Sequence, residues 1–252
     1  MDRIISGASR GIGRALALSL GKKLTAGDRL FLLARNEEQM LSIRDALPGV
    51  EVKLQVADLS SGEETKKVAA WLASQLKPGA ILIHNAGLWP SKLELVEGLE
   101  RAFATNCACP LLLQEPLLDQ KLLSRVLVVG AGLMVKGQYD PQRTPTGKDF
   151  SSFRTYCSTK QAGALAMRDV ARKFPAVDFA VVHPGVVNTD LGARTGLLGA
   201  LLKLVKRRFE TPEVCAERMV RLLERPRWEK EPGEAPWFFE ETEQPWPITS
   251  TR

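Results

Sequence analysis

Tyr156 and Lys160 stand four residues apart, the spacing that puts two side chains on one face of a helix. A phenol titrates near pH 10 and is a poor proton donor at neutrality. A close ammonium favours the phenolate and lowers that value by about 1–3 pH units. Such a pair suits general acid–base work on a carbonyl or alcohol oxygen, which is most efficient when the pKa approaches the working pH. A second feature is Ser6-Gly7-Ala8-Ser9-Arg10-Gly11-Ile12-Gly13, which follows an apolar run and opens a helical segment. Glycines there let the chain turn tightly and approach a diphosphate, whose charge then sits at the helix N-terminus.

The elements that must carry these groups alternate along the chain. Strand candidates are Arg3–Ser6, Arg29–Ala34, Glu51–Ala57, Ala80–His84, Arg125–Gly130 and Asp178–His183. Helical segments lie between them at Gly11–Leu24, Asn36–Leu47, Glu63–Leu76, Glu94–Leu118 and Phe153–Lys173. The strands are continuous apolar runs, as expected when both sheet faces are covered. This rhythm predicts a Rossmann-like, doubly wound parallel sheet in a three-layer α/β/α arrangement. No Pro/Gly/Ser linker divides the chain and no repeat is seen, so residues 1–252 read as a single domain. Two segments break the rhythm: residues 190–210, and a tail from Pro226 rich in Pro, Trp and Glu, where Trp237-Phe238-Phe239 suits a last short strand.

Composition narrows the function classes. Lys plus Arg number 35 against 29 Asp plus Glu, giving a formal charge of +6 within an ordinary globular composition. Collagen-like, disordered and coiled-coil readings are excluded. Four cysteines and two histidines offer no zinc-ligand spacing, so no metal is expected, and a reducing compartment fits. The glycine turn begins within seven residues of Met1, and no apolar run approaches the ~20 residues of a membrane span. A cytoplasmic protein without stable membrane insertion is the expectation. The basic balance suits nucleic acid, an anionic membrane or a phosphate-rich ligand, but no helix-turn-helix, zinc or aromatic–basic RNA motif is present.

The Gly-x-x-x-Gly-x-Gly turn resembles that of the short-chain dehydrogenase/reductase family. His84-Asn85-Ala86-Gly87, Tyr156-Cys-Ser-Thr-Lys160 and Pro184-Gly185-Val-Val-Asn-Thr189 are similar to further family motifs, in the family's order. The N-terminal third looks like the sepiapterin reductase group and the later part like soluble relatives of the retinol dehydrogenases. The resemblance implies a nicotinamide cofactor, held by Gly7, Ser9, Arg10, Gly11, Ile12 and Gly13 at the turn and by Asp58 and Leu59 after the third strand. Asn85, Ala86, Gly87, Pro184, Gly185, Val187 and Thr189 complete the set, with Thr189 on the carboxamide. The second strand ends Ala34-Arg35-Asn36, without the carboxylate that binds a ribose diol. Arg10 and Arg35 suit a 2′-phosphate instead, with Asn36 beside Arg35 as a further cofactor-binding candidate, so NADP(H) is expected.

The resemblance also assigns Tyr156 as proton donor to a carbonyl that receives hydride, Lys160 as its partner at the nicotinamide ribose, and Asn106 as a residue that disturbs the middle helix and holds a relay water. One position departs from the pattern: Val128-Val129-Gly130-Ala131-Gly132 places Ala131 where the family carries a hydroxyl on the substrate oxygen. Losing such a donor costs about 2.7–4 kcal/mol in the transition state. Ser151, Ser152, Thr155 and Tyr139 are candidate substitutes.

The expected function is reduction of a lipophilic or aromatic ketone or aldehyde. The alternative is an NADPH-binding sensor or scaffold with vestigial chemistry. The apolar stripe Leu197, Leu198, Leu201, Leu202 and Val205 suits a substrate lid, a core-packing helix or a basic amphipathic helix on anionic membrane. Residues 94–118 and 153–173 are where family members pair across a two-fold axis, implying a homodimer or homotetramer. The tail tryptophans Trp228, Trp237 and Trp246 suit a pocket wall or a covered subunit edge.

Overall fold

The computed structural model describes residues 1–188 and 209–248. Its centre is an eight-stranded sheet in the order β10-β9-β8-β7-β4-β1-β2-β3, parallel except for the last pair, β9–β10. The strands are β1 (Asp2–Ser6), β2 (Arg29–Ala34), β3 (Glu51–Val56), β4 (Ala80–His84), β7 (Leu123–Val129), β8 (Asp178–His183), β9 (Trp237–Phe239) and β10 (Thr242–Gln244). Chain order runs outward from β1 to β2 and β3, then returns to β4 on the other side. The switch therefore lies between β1 and β4, where open α/β sheets bind ligands beyond the strand C-termini.

Alternate residues of each strand feed opposite layers. Ile4, Phe31, Leu33, Leu82 and Val126 face one core with α3 (Gly62–Gln75), α5 (Cys109–Asp119) and α6 (Ser152–Lys173). Ile5, Leu30, Leu32, Ile83 and Leu127 face the other with α1 (Gly11–Gly21), α2 (Glu37–Asp45) and α7 (Pro212–Leu223). The expected three-layer doubly wound architecture is what forms. All four cysteines are free and buried. Among the described residues no helix is long and apolar enough to cross a membrane, and no His/Cys/Asp/Glu group is arranged to hold a metal.

Two differences from expectation have physical causes. The helix expected from Glu94 begins later: β5 (Leu95–Val96) and β6 (Leu99–Glu100) form a hairpin, turned by Glu97 and Gly98 at φ of 53° and 83°. A short helix, α4 (Arg101–Phe103), follows, then a π turn at Ala104–Ala108 that leads into α5. Helix α7 was absent from the expected elements although its signals are local. Thr211 caps it by accepting from Val214 N, Pro212 opens it, and Cys215, Ala216, Met219, Val220 and Leu222 form its buried face. Among the tail tryptophans, Trp228 lies buried under the Arg125 guanidinium at 3.7 Å, and Trp237 packs within the sheet core against the partly buried Trp246.

Candidate active site

A cleft of about 280 Å³ opens at the switch between β1 and β4. Its floor is the turn between β1 and α1. Gly7 takes φ 67°, and a Cβ on it would stand 2.8 Å from the backbone of Ala86. A Cβ on Gly13 would stand 2.3 Å from the Gly7 carbonyl and 2.4 Å from the Asn85 amide. The turn is thus packed directly on the end of β4, and Asn85 Nδ2 ties the two by donating to the carbonyls of Ser6 and Gly7 at 3.0 and 3.1 Å. Helix α1 has neither a side-chain cap nor an acidic residue in its first turn, whereas Asn36 caps α2 and Ser61 caps α3. Its first amides are left for a ligand, and an anion is what the helix dipole favours there.

The sequence-derived residues Gly7, Ser9, Arg10, Gly11, Ile12, Gly13, Arg35, Asp58, Leu59, Asn85, Ala86, Gly87, Tyr156, Lys160, Pro184, Gly185 and Val187 all line this cleft. Asn36 does not: its side chain accepts from Gln39 N at 2.9 Å. Thr189 and the lid helix at 196–208 lie outside the described residues. Asp58 is engaged on both oxygens, with Ser60 at 2.8 Å and Arg101 at 2.6 Å. Burial pushes its carboxyl up, but Ser60 and the Arg101 and Arg35 cations outweigh that and hold it below its ordinary value.

Tyr156 and Lys160 are both buried on one face of α6. Lys160 Nζ donates to the Val129 carbonyl at 2.9 Å, and a Cβ on Gly87 would stand 3.1 Å from it. Burial lowers the ammonium to about 8 and pushes the Tyr156 phenol above its ordinary value. The ammonium is spent on a carbonyl rather than on the phenol, so burial prevails over the lowering that the four-residue spacing predicts. Trp89 adds to that burial, its ring stacked on Tyr156 with centroids 4.3 Å apart and planes 7° from parallel.

Asn106 lies in the π turn, behind the cleft wall. Its Oδ1 accepts from Leu88 N at 2.9 Å, and its Nδ2 donates to Leu88 O at 2.9 Å and Thr159 Oγ1 at 3.0 Å. The residue therefore clamps the loop after β4 onto α6. None of the four substitute hydroxyls lines the cleft. Ser152 Oγ donates to Pro90 O, Thr155 Oγ1 accepts from Ser151 N, and Tyr139 stacks on Phe103.

Sequence reasoning missed Arg101, Thr105, Leu88 and His183, which also line the cleft, and Trp89 beside it. No local motif marks them. They arrive from the π-turn region, the loop after β4 and the end of β8 by tertiary packing.

A family model for short chain dehydrogenases matches residues 3–135. The chain belongs to the short-chain dehydrogenase family. Human retinol dehydrogenase 13 is 29% identical over 213 residues, an alignment covering 78% of this chain and 62% of that protein. Sepiapterin reductase of Xenopus tropicalis is 30% identical over 247 residues, covering 88% of this chain and 90% of that one. Both groups suggested by the motifs are thus among the relatives of this short-chain dehydrogenase. The alcohol dehydrogenase of the archaeon Thermococcus sibiricus, solved with 5-hydroxy-NADP, superposes with a TM-score of 0.69 at 26% identity, covering 94% of each chain.

Proposed function

We propose that this protein is an NADP(H)-dependent oxidoreductase that interconverts a ketone or aldehyde and its alcohol. The observation that carries the reading is one cleft joining the uncapped amides of α1, two arginines and the buried Tyr156–Lys160 face. The residues suit the dinucleotide: α1 has no side-chain cap on its first amides, which leaves donors for the diphosphate, and Gly7 and Gly13 let the turn pack directly on the end of β4. Arg10 and Arg35, both exposed at the rim, hold the 2′-phosphate, where a guanidinium fork matches phosphate oxygens. Asp58 and Leu59 flank the adenine. Asn85, Ala86 and Gly87 line the ribose side, with Pro184, Gly185, Val187 and Thr189 around the carboxamide.

Bound NADPH supplies the hydride. Tyr156 gives its proton to the carbonyl oxygen as charge develops there, and Lys160 holds the ribose hydroxyls while favouring the phenolate left behind. Asn106 keeps the Leu88 loop and α6 in register around the pair and serves the proton relay. Leu88 and the ring pair Trp89–Phe153 make the approach apolar, which suits a lipophilic or aromatic substrate. The α5 and α6 faces pair across a two-fold axis to form a homodimer or homotetramer.

A specific observation favours a second reading, an NADPH-binding sensor: Trp89 covers Tyr156, and Ala131 brings no hydroxyl to the cleft. Purified protein with NADPH over a panel of ketones, quinones and diketones separates the two. The reductase reading expects cofactor oxidation that Tyr156→Phe abolishes. Tight NADPH binding with no turnover on any substrate would establish the sensor.

A further inference from the structure

Reduction of a carbonyl builds negative charge on its oxygen, and one phenol is a single donor for that charge. Lys160, on the same face of α6, already donates to Val129 O, and Val129, Gly130 and Ala131 at the end of β7 bring no polar side chain to the cleft. His183, which ends β8 and lines the same cleft, does bring one. Its backbone carbonyl accepts from Glu240 N at 2.8 Å. Its ring is held by β9, parallel to Trp237 at 6.3 Å and edge-on to Phe239 at 5.1 Å. The ring therefore has little freedom to turn.

The two ring nitrogens differ. Nδ1 is buried without a hydrogen-bond partner. Nε2 points to the Ala131–Gly132 corner, where a Cβ on Gly132 would stand 2.8 Å from it. A proton on Nδ1 would have no acceptor, so the neutral ring carries its proton on Nε2. Burial lowers the pKa below its ordinary value and keeps the ring neutral at pH 7. The position beside Ala131, which itself packs against Tyr156, thus presents one N–H to the cleft.

We infer that His183 Nε2–H binds the substrate carbonyl oxygen opposite Tyr156, supplying the second donor that Ala131 does not. This rests on the reductase reading above. The imidazole keeps its proton throughout. The new C–H bond takes the hydride, the carbonyl π pair moves to oxygen, and that oxygen takes its proton from Tyr156. Gly132 then has a defined role, since any side chain there would strike the imidazole.

The test is a set of variants assayed for NADPH affinity by fluorescence and for turnover with the best carbonyl of the panel. His183→Phe keeps an aromatic ring against Trp237 and removes the donor. It should lower kcat by about 100-fold with NADPH affinity unchanged. His183→Gln, which places an N–H at similar reach, should retain most of the activity. Ala131→Ser should restore turnover strongly in the His183→Phe background and add little to the native enzyme. Unchanged kcat in His183→Phe overturns the inference while leaving the reductase reading intact. An equal gain from Ala131→Ser in both backgrounds overturns it too, and does so without relying on the magnitude of either single variant. Native protein that binds NADPH but reduces nothing removes both.

Discussion

The indole of Trp89 lies flat on the ring of Tyr156, 4.3 Å away, while its Nε1 donates to Ser152 Oγ at 3.2 Å. The phenol that would move the proton is therefore shielded by an aromatic plate anchored at the start of α6. An aromatic pair contributes about 1 kcal/mol beyond its area, so the plate is held but removable.

Trp89→Ala should expose the phenol and let it titrate closer to its ordinary value. The chain has two tyrosines, which makes an ultraviolet difference titration interpretable with Tyr156→Phe as reference. A titration indistinguishable from the native one would show that Trp89 is not what keeps the phenol high.

Lys160 gives a prediction in which stability and activity move oppositely. Its folded value is about 8 against an ordinary 10.5. Below pH 8 both states are protonated and the full cost of burying the charge is present. Between pH 8 and 10.5 the unfolded chain holds a proton that the folded one has released, so stability rises with pH. The cost at pH 7 is on the order of 3 kcal/mol, and the bond to Val129 O offsets about 1 of it. Lys160→Met should therefore raise urea resistance by about 2 kcal/mol at pH 7, with an advantage that shrinks towards pH 10.5, while turnover is lost. A destabilised Lys160→Met at pH 7 would contradict this.

His84 is buried, pairs with Gln114 Oε1 at 3.0 Å and has its pKa lowered to about 4 by burial. A neutral folded histidine costs nothing above the unfolded value of 6.5. As pH falls from 6.5 through 4, the unfolded chain takes up a proton that the folded chain refuses, and about 3 kcal/mol of stability goes with it. The urea midpoint of the native protein should fall across that window, and His84→Asn should flatten the fall. With two histidines in the chain, proton NMR resolves each titration.

Arg10→Ala and Arg35→Ala test the cofactor reading directly. Each should weaken NADPH by about 10- to 100-fold, the worth of a charge-assisted hydrogen bond, and leave NADH nearly unchanged. Equal losses for both cofactors would place these arginines elsewhere than on the 2′-phosphate.

Much of this was legible in the chain because it is local. Strands buried on both faces show as unbroken apolar runs such as RLFLLA, and the glycine turn, Asn85–Gly87 and Tyr156–Lys160 are contiguous motifs. The β5–β6 hairpin was hidden because Leu95, Leu99 and Ala102 fall at helical spacing, while the turn at Glu97-Gly98 depends on positive φ. His183, Arg101 and Trp89 carry no signature of their own. Each acquires its place only when a distant element packs: β9 against β8, Asp58 onto α4, and the Leu88 loop onto α6.

The π turn at Ala104–Ala108 carries one residue more than regular winding would need, and an α-helix advances about 100° per residue. That surplus sets a phase. It lets one continuous helical run show Thr105 to the cleft and then Leu113 and Leu117 to the sheet core. Wound as a regular α-helix with the same residues, this stretch would swing the apolar face of α5 by about 100° away from the sheet, although no side chain had been replaced. The number of residues in this stretch is as much a requirement of the site as their identity.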